Sequence, residues 1–187
     1  MPSTLQRSVY EDCLIVFYFG RGKDNLSLCQ RRAYGDFQRT LHGIGKFPKA
    51  EEARNQADKA LNEMFAKIRD APAMSQGEFD EWHRKSCESL AHIYRNYGFS
   101  SFSFGHAQKW LNMTFKYIYV MGKQRISGFD HLYDLCHVPL DSILIGALRK
   151  EDGFEFPSCP WSKLNNYALS NRGRQKARPS GRRVAGD

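Results

Sequence analysis

The sequence predicts a compact, mostly α-helical multi-helix domain with a disordered, basic C-terminal tail, and three observations carry that prediction. Apolar residues recur at helical spacing through most of positions 49–148. Proline, serine and glycine stand where those stretches should start and stop. The last residues, 172–187, hold Arg172, Arg174, Lys176, Arg178, Arg182 and Arg183 against a single acid. With 187 residues, 41% hydrophobic and 13% aromatic, the chain has material for one core, so a single domain over 1–171 and a tail over 172–187 are expected. That composition excludes global disorder.

In chain order, the apolar run Leu14–Phe19 ends at Gly20-Arg-Gly22. A strand and a buried helix both produce such a run, and periodicity does not decide between them. After Pro48, positions Ala53, Ala57, Ala60, Leu61, Met64, Phe65 and Ile68 follow helical spacing, and Pro72 ends that helix. Ser75-Gln-Gly-Glu78 has the form of a capping box and opens a second helix. Phe79, Trp82, Cys87, Leu90, Ala91 and Tyr94 form its stripe, and Gly98 closes it. A third helix spans about 105–121 and stops at Gly122. A short helix is expected over 129–135. Pro139 suits the first turn of another, which would hold Asp141 in that turn and reach Leu148. Pro160-Trp-Ser-Lys-Leu begins a last helix that fades into the tail.

Lys and Arg number 28 against 20 Asp and Glu, a net charge of +8. The tail carries +5 of this, which leaves +3 for the first 171 residues. A uniformly basic coat for a polyanion is thereby excluded, and any polyanion site in the body must be a local patch. The five cysteines are odd in number and include no C-x-x-C pair, so neither a zinc ribbon nor a disulfide framework is indicated. Isolated thiols fit a reducing cytoplasm. No apolar run approaches the roughly 20 residues of a membrane span. A cytoplasmic monomer without a membrane partner is the expectation.

The most informative segment is 104–121. On a wheel of about 100° per residue, Gly105, Lys109, Asn112 and Lys116 fall within about 60°, with Gln108 beside them. Ala107, Leu111, Thr114, Phe115, Ile118 and Met121 cover the far side. A helix that is apolar over most of its circumference belongs at the centre of a fold, with its narrow polar stripe on a cleft. A lysine there loses hydration of its ammonium form, which lowers its pKa and makes it a usable nucleophile. The plainer alternative is a wet helix face, with Lys116 complementing the helix C-terminus. Asp141, near a helix N-terminus, should stay ionised and could stabilise a cation before it, or serve only the helix dipole. His137 could cap, donate to a neighbour or point into the cleft.

Gly105-x-x-x-Lys109 at a helix start, followed by Val138-Pro-Leu-Asp141, resembles the helix-hairpin-helix superfamily of DNA glycosylases, the 8-oxoguanine DNA glycosylases above all. The resemblance covers about 40 residues, from Ser103 to Ile143. The 32-residue separation of Lys109 from Asp141 is similar to that in the compact archaeal branch. The family's hairpin reads L-P-G-x-G-x-K, whereas Ser103-Phe-Gly-His-Ala-Gln-Lys109 lacks the proline and has Ala107 for the second glycine.

The resemblance implies a central helix-hairpin-helix-like element and a partner, double-stranded DNA with an extruded damaged base. It implies Lys109 as a Schiff-base nucleophile, Asp141 as its electrostatic partner, and neither metal nor cofactor. Gly105 would be the hairpin glycine beside a DNA phosphate. Gln108 and Asn112 offer amides to a base edge, or bridge helices. Trp161, Ser162 and Tyr167 lie where an extruded base could be met, with Trp82 and Trp110 less favoured. The tail's arginines would contact phosphates.

Three other classes compete. A non-enzymatic helical nucleic-acid-binding protein would use Lys109, Lys116, Lys123 and Arg125 as a phosphate patch. A metal-dependent nuclease would draw on Asp130, His131, Asp134, His137 and Asp141. A small helical interaction protein would have no chemistry at all.

Overall fold

The computed structural model describes residues 4–22, 24–139, 141–150 and 160–165. The basic tail and Tyr167 lie outside them. Among the described residues there is no strand, and none of the helices is long and apolar enough to cross a membrane. Six α-helices are described: α1 (Thr4–Phe19), α2 (Asn25–Phe37), α3 (Ala50–Arg69), α4 (Gln76–Asn96), α5 (Phe104–Met121) and α6 (Ser142–Leu148). Short 3₁₀ turns cover Gln38–Thr40, Ile44–Lys46, Asp130–Leu135 and Trp161–Lys163.

The undecided N-terminal run is helical. Asp24 caps α2 by accepting from the Ser27 amide at 2.8 Å, which satisfies one of the orphan donors of a first turn. The capping box expected at Ser75 is formed: its hydroxyl accepts from the Glu78 amide, and Glu78 accepts from the Ser75 amide at 2.6 Å. Gly98 and Gly122 take positive φ values, which a side chain would resist, at the ends of α4 and α5.

Two expectations are corrected at the C-terminal end. Pro139 is outside the helix it was expected to start, because Asp141 takes an extended backbone and caps α6 from position 141. The helix expected from Pro160 is, within the described residues, a three-residue 3₁₀ turn, after which Leu164 is extended.

Helix α5 is the centre of the fold. α2 and α4 pack directly on it, α3 backs α4, and the Trp161–Lys163 turn lies against it. Trp110, Leu111, Phe115 and Ile118 fill the core from α5. On the α2 side, Trp110 packs among Tyr34, Phe37 and Phe102 and donates its indole N–H to the Gln30 carbonyl at 3.0 Å. On the α4 side, Phe115 meets Phe65, Phe79 and Trp82. Burying an aromatic of this size contributes about 2–3 kcal/mol, so the two clusters fix the rotation of α5 about its axis. That rotation places the polar stripe.

Candidate active site

Ser103 starts α5 with a second capping box. Its hydroxyl accepts from the His106 amide at 3.2 Å and donates to the Ser162 carbonyl at 2.6 Å. The His106 Nδ1 accepts from the Ser103 amide at 3.0 Å, so Nε2 carries the proton and donates to Thr40 Oγ1 at 3.1 Å. Burial pushes this imidazole down to about 4 and keeps it neutral. The start of α5, the turn after α2 and the 160–165 segment are thus joined through one histidine and one serine.

One turn further, Lys109 points into a cleft of about 650 Å³. Its side chain is 8% exposed, and its Nζ is 3.7 Å from Asp141 Oδ2. The Trp161 ring centroid is 5.7 Å from the same Nζ. Asp141 is held by its other oxygen, Oδ1, which accepts from the Leu144 amide at 2.8 Å as the cap of α6. The pair is long for a charge-assisted hydrogen bond, which is ordinarily about 2.7–2.9 Å. Desolvation lowers the Lys109 pKa; Asp141 and Asp36 oppose that effect without cancelling it, and Lys116 adds to it. The amine is therefore more readily neutral than an ordinary lysine.

The segment that delivers Asp141 is tied at successive points. Gln76 Nε2 donates to the Leu135 carbonyl at 3.1 Å and to Asp80 Oδ1 at 2.7 Å. His137 Nε2 meets the same Asp80 oxygen at 2.7 Å, and its ring packs on His83 at 4.4 Å and on Phe79. Asn112 accepts from His83 Nε2 at 2.9 Å and reaches the Val138 carbonyl at 3.5 Å.

Of the residues singled out in the sequence, the structure brings Lys109, Lys116, Asp141 and Trp161 to the cleft. Among the described residues, Gly105, Gln108, Asn112, His137 and Ser162 do not line it. Gly105 lies beneath the 160–165 segment, where its amide donates to the Leu164 carbonyl at 2.9 Å and a Cβ would overlap the Trp161 carbonyl oxygen. Glycine is required there for close backbone approach, and its N–H is not turned to a phosphate. Gln108 is 3% exposed and does not line the cleft. Asn112 and His137 belong to the polar ties described above. Ser162 contributes its carbonyl to Ser103. Trp110 is core, and Trp82 packs against it. Arg125 pairs with Asp12 at 2.8 Å. Among the described residues no three His, Cys, Asp or Glu side chains gather as a metal-holding group, so the Asp130 to Asp141 acids and histidines supply no such ligand set.

The opposite wall was not anticipated. Arg32 and Asp36 on α2, Arg39 and Thr40 after it, Tyr18 at the end of α1 and Tyr117 on α5 all line the cleft. Arg32, Asp36 and Arg39 repeat the spacing of a single helical stripe, the same signal that marked α5. It was legible only once the segment was known to be helical. Tyr117 donates to Asp36 Oδ2 at 2.6 Å, and the Arg32 guanidinium lies over the Tyr18 ring at 4.6 Å.

No family model, curated protein or solved structure matches this chain.

Proposed function

We propose that the protein is a DNA glycosylase with lyase activity that removes an oxidised purine of the 8-oxoguanine kind. One observation carries the reading: a lysine amine, nine-tenths buried, faces a carboxylate at 3.7 Å across a cleft. A volume of about 650 Å³ lies within the range of about 300–1,000 Å³ usual for small-ligand sites, so an extruded nucleoside would fit.

Neutral Lys109 attacks C1′ of the extruded nucleotide. The C1′–N9 bond breaks and its electron pair leaves with the base, which takes up a proton as the amine loses one. Asp141 Oδ2 stabilises the positive charge that develops on the sugar, and its oxygen is pre-oriented by the Leu144 amide. Ring opening yields the imine, and β-elimination then breaks the C3′–O bond. Trp161 on one side and Tyr18 on the other offer rings for a base to stack on, while exposed Arg32, Arg39 and Lys116 meet phosphates.

Borohydride trapping on a duplex bearing 8-oxoguanine tests this. The native protein is expected to give a covalent adduct that Lys109→Gln does not. The three exposed cations also suit a binding protein without chemistry; DNA binding with no adduct from the native protein would sink the glycosylase reading and leave that one.

A further inference from the structure

The cleft holds a second carboxylate that the Schiff-base chemistry leaves unused. Asp36 stands on α2, half-buried, on the wall that faces α5. Its Oδ2 accepts the Tyr117 hydroxyl at 2.6 Å. Tyr117 is 2% exposed, and burial raises its pKa, so the phenol remains a donor. The carboxylate is thereby oriented from behind. Among the described residues, no hydrogen bond is made to its other oxygen, and no basic side chain forms an ion pair with it. An ionised carboxylate offers about four acceptor sites and no donor. Whatever occupies the cleft therefore meets, at Asp36, a fixed acceptor that requires N–H or O–H groups.

We infer that Asp36 reads the Watson–Crick edge of the extruded base and selects guanine-type purines over adenine-type ones. The inference rests on the glycosylase reading of the cleft. A guanine-type edge presents N1–H and a 2-amino group side by side, two donors for one carboxylate. An adenine-type edge presents an acceptor at N1, which would face the carboxylate lone pairs with its own water lost. Lys109 and Asp36 then divide the work: the amine acts on the sugar whatever the base, and the carboxylate decides which base is held. Tyr117 is the positioning residue, acting through Asp36.

The test compares trapping rates on two duplexes that differ only in carrying 8-oxoguanine or 8-oxoadenine. These bases share the oxidised edge and differ at the Watson–Crick edge. The native protein is expected to prefer 8-oxoguanine by about 10- to 100-fold, the worth of a hydrogen bond to a charged group. Asp36→Asn, whose amide pairs one donor and one acceptor with the adenine edge, is expected to bring the two rates to parity or invert them. Tyr117→Phe removes only the orienting hydroxyl and is expected to lose part of the preference; it decides the matter if Asp36→Asn does not fold. Equal rates in the native protein would overturn the role of Asp36 while leaving the glycosylase standing, and so would an Asp36→Asn ratio unchanged while both rates fall. No adduct on either duplex from the native protein would overturn the glycosylase reading and this inference with it.

Discussion

Asn112 and Lys109 leave the same helix three residues apart, and both are more than nine-tenths buried. Asn112 is matched: its oxygen meets His83 at 2.9 Å and its nitrogen turns to the Val138 carbonyl. Around it His83, His137, Asp80 and Gln76 complete one another. Lys109 has a carboxylate 3.7 Å away, itself half exposed, and a ring 5.7 Å away. A buried polar network with its hydrogen bonds made rigidifies a fold, whereas at Lys109 the desolvation of the ammonium outweighs the carboxylates that favour it, which sets its charge against burial. The first region is structural and the second is chemically available. The first also aims the second, since the segment it ties carries Asp141.

The sharpest way to break this contrast is Lys109→Met. Adduct formation should vanish, while stability rises by about 1 kcal/mol as the desolvation that lowers the Lys109 pKa is removed with the amine, measured by urea unfolding. A loss of stability would place Lys109 with Asn112 among the structural groups.

The buried histidine at the head of α5 gives the next largest effect. Its folded pKa, about 4, is below the ordinary value near 6.5, so the unfolded chain binds the extra proton between those limits. The stability tied to neutral His106 is present in full above about pH 6.5 and is lost as pH falls to about 4, on the order of 3 kcal/mol. Native protein and His106→Gln, unfolded in urea at pH 7 and pH 4.5, should differ in their pH dependence by that amount.

His137→Ala leaves Asp80 without one of its partners and should cost about 2 kcal/mol. Trapping should slow only as far as Asp141 is misplaced, with Lys109 intact, so a stable variant that traps nothing would mean that His137 itself takes part. Gly105→Ala is expected to cost at least as much. The new methyl overlaps the Trp161 backbone, so the 160–165 segment must move off α5 and the bond from the Gly105 amide to Leu164 is strained or lost, costing about 3 kcal/mol. The signature is a shift in tryptophan fluorescence as Trp161 moves.

Much of the helical frame was legible because its signals are local. The Ser75–Glu78 box, the apolar stripes and the glycines at 98 and 122 act over a few residues, and the structure uses each of them. The stripe that marked Lys109 was also local, and it was mixed: of its four members Lys109 and Lys116 line the cleft, Gly105 meets a backbone and Asn112 meets His83. A wheel gives direction and not what stands opposite. The Asp36 wall was missed for the same reason, since its residues acquire meaning only where α2 packs on α5. Asp141 was read as a first-turn residue because Pro139 fits that position, but the extended backbone at 141 makes the aspartate the cap. That one-turn difference is what leaves Oδ2 facing Lys109 while Oδ1 holds the helix.

The central claim is that Lys109, among the described residues the one buried amine of the cleft, is the nucleophile and its exposed neighbours are not. Peptide mapping by mass spectrometry of the borohydride-reduced adduct tests it most directly. The account predicts the sugar remnant on Lys109. A remnant on Lys116, or spread over several exposed lysines, would contradict it.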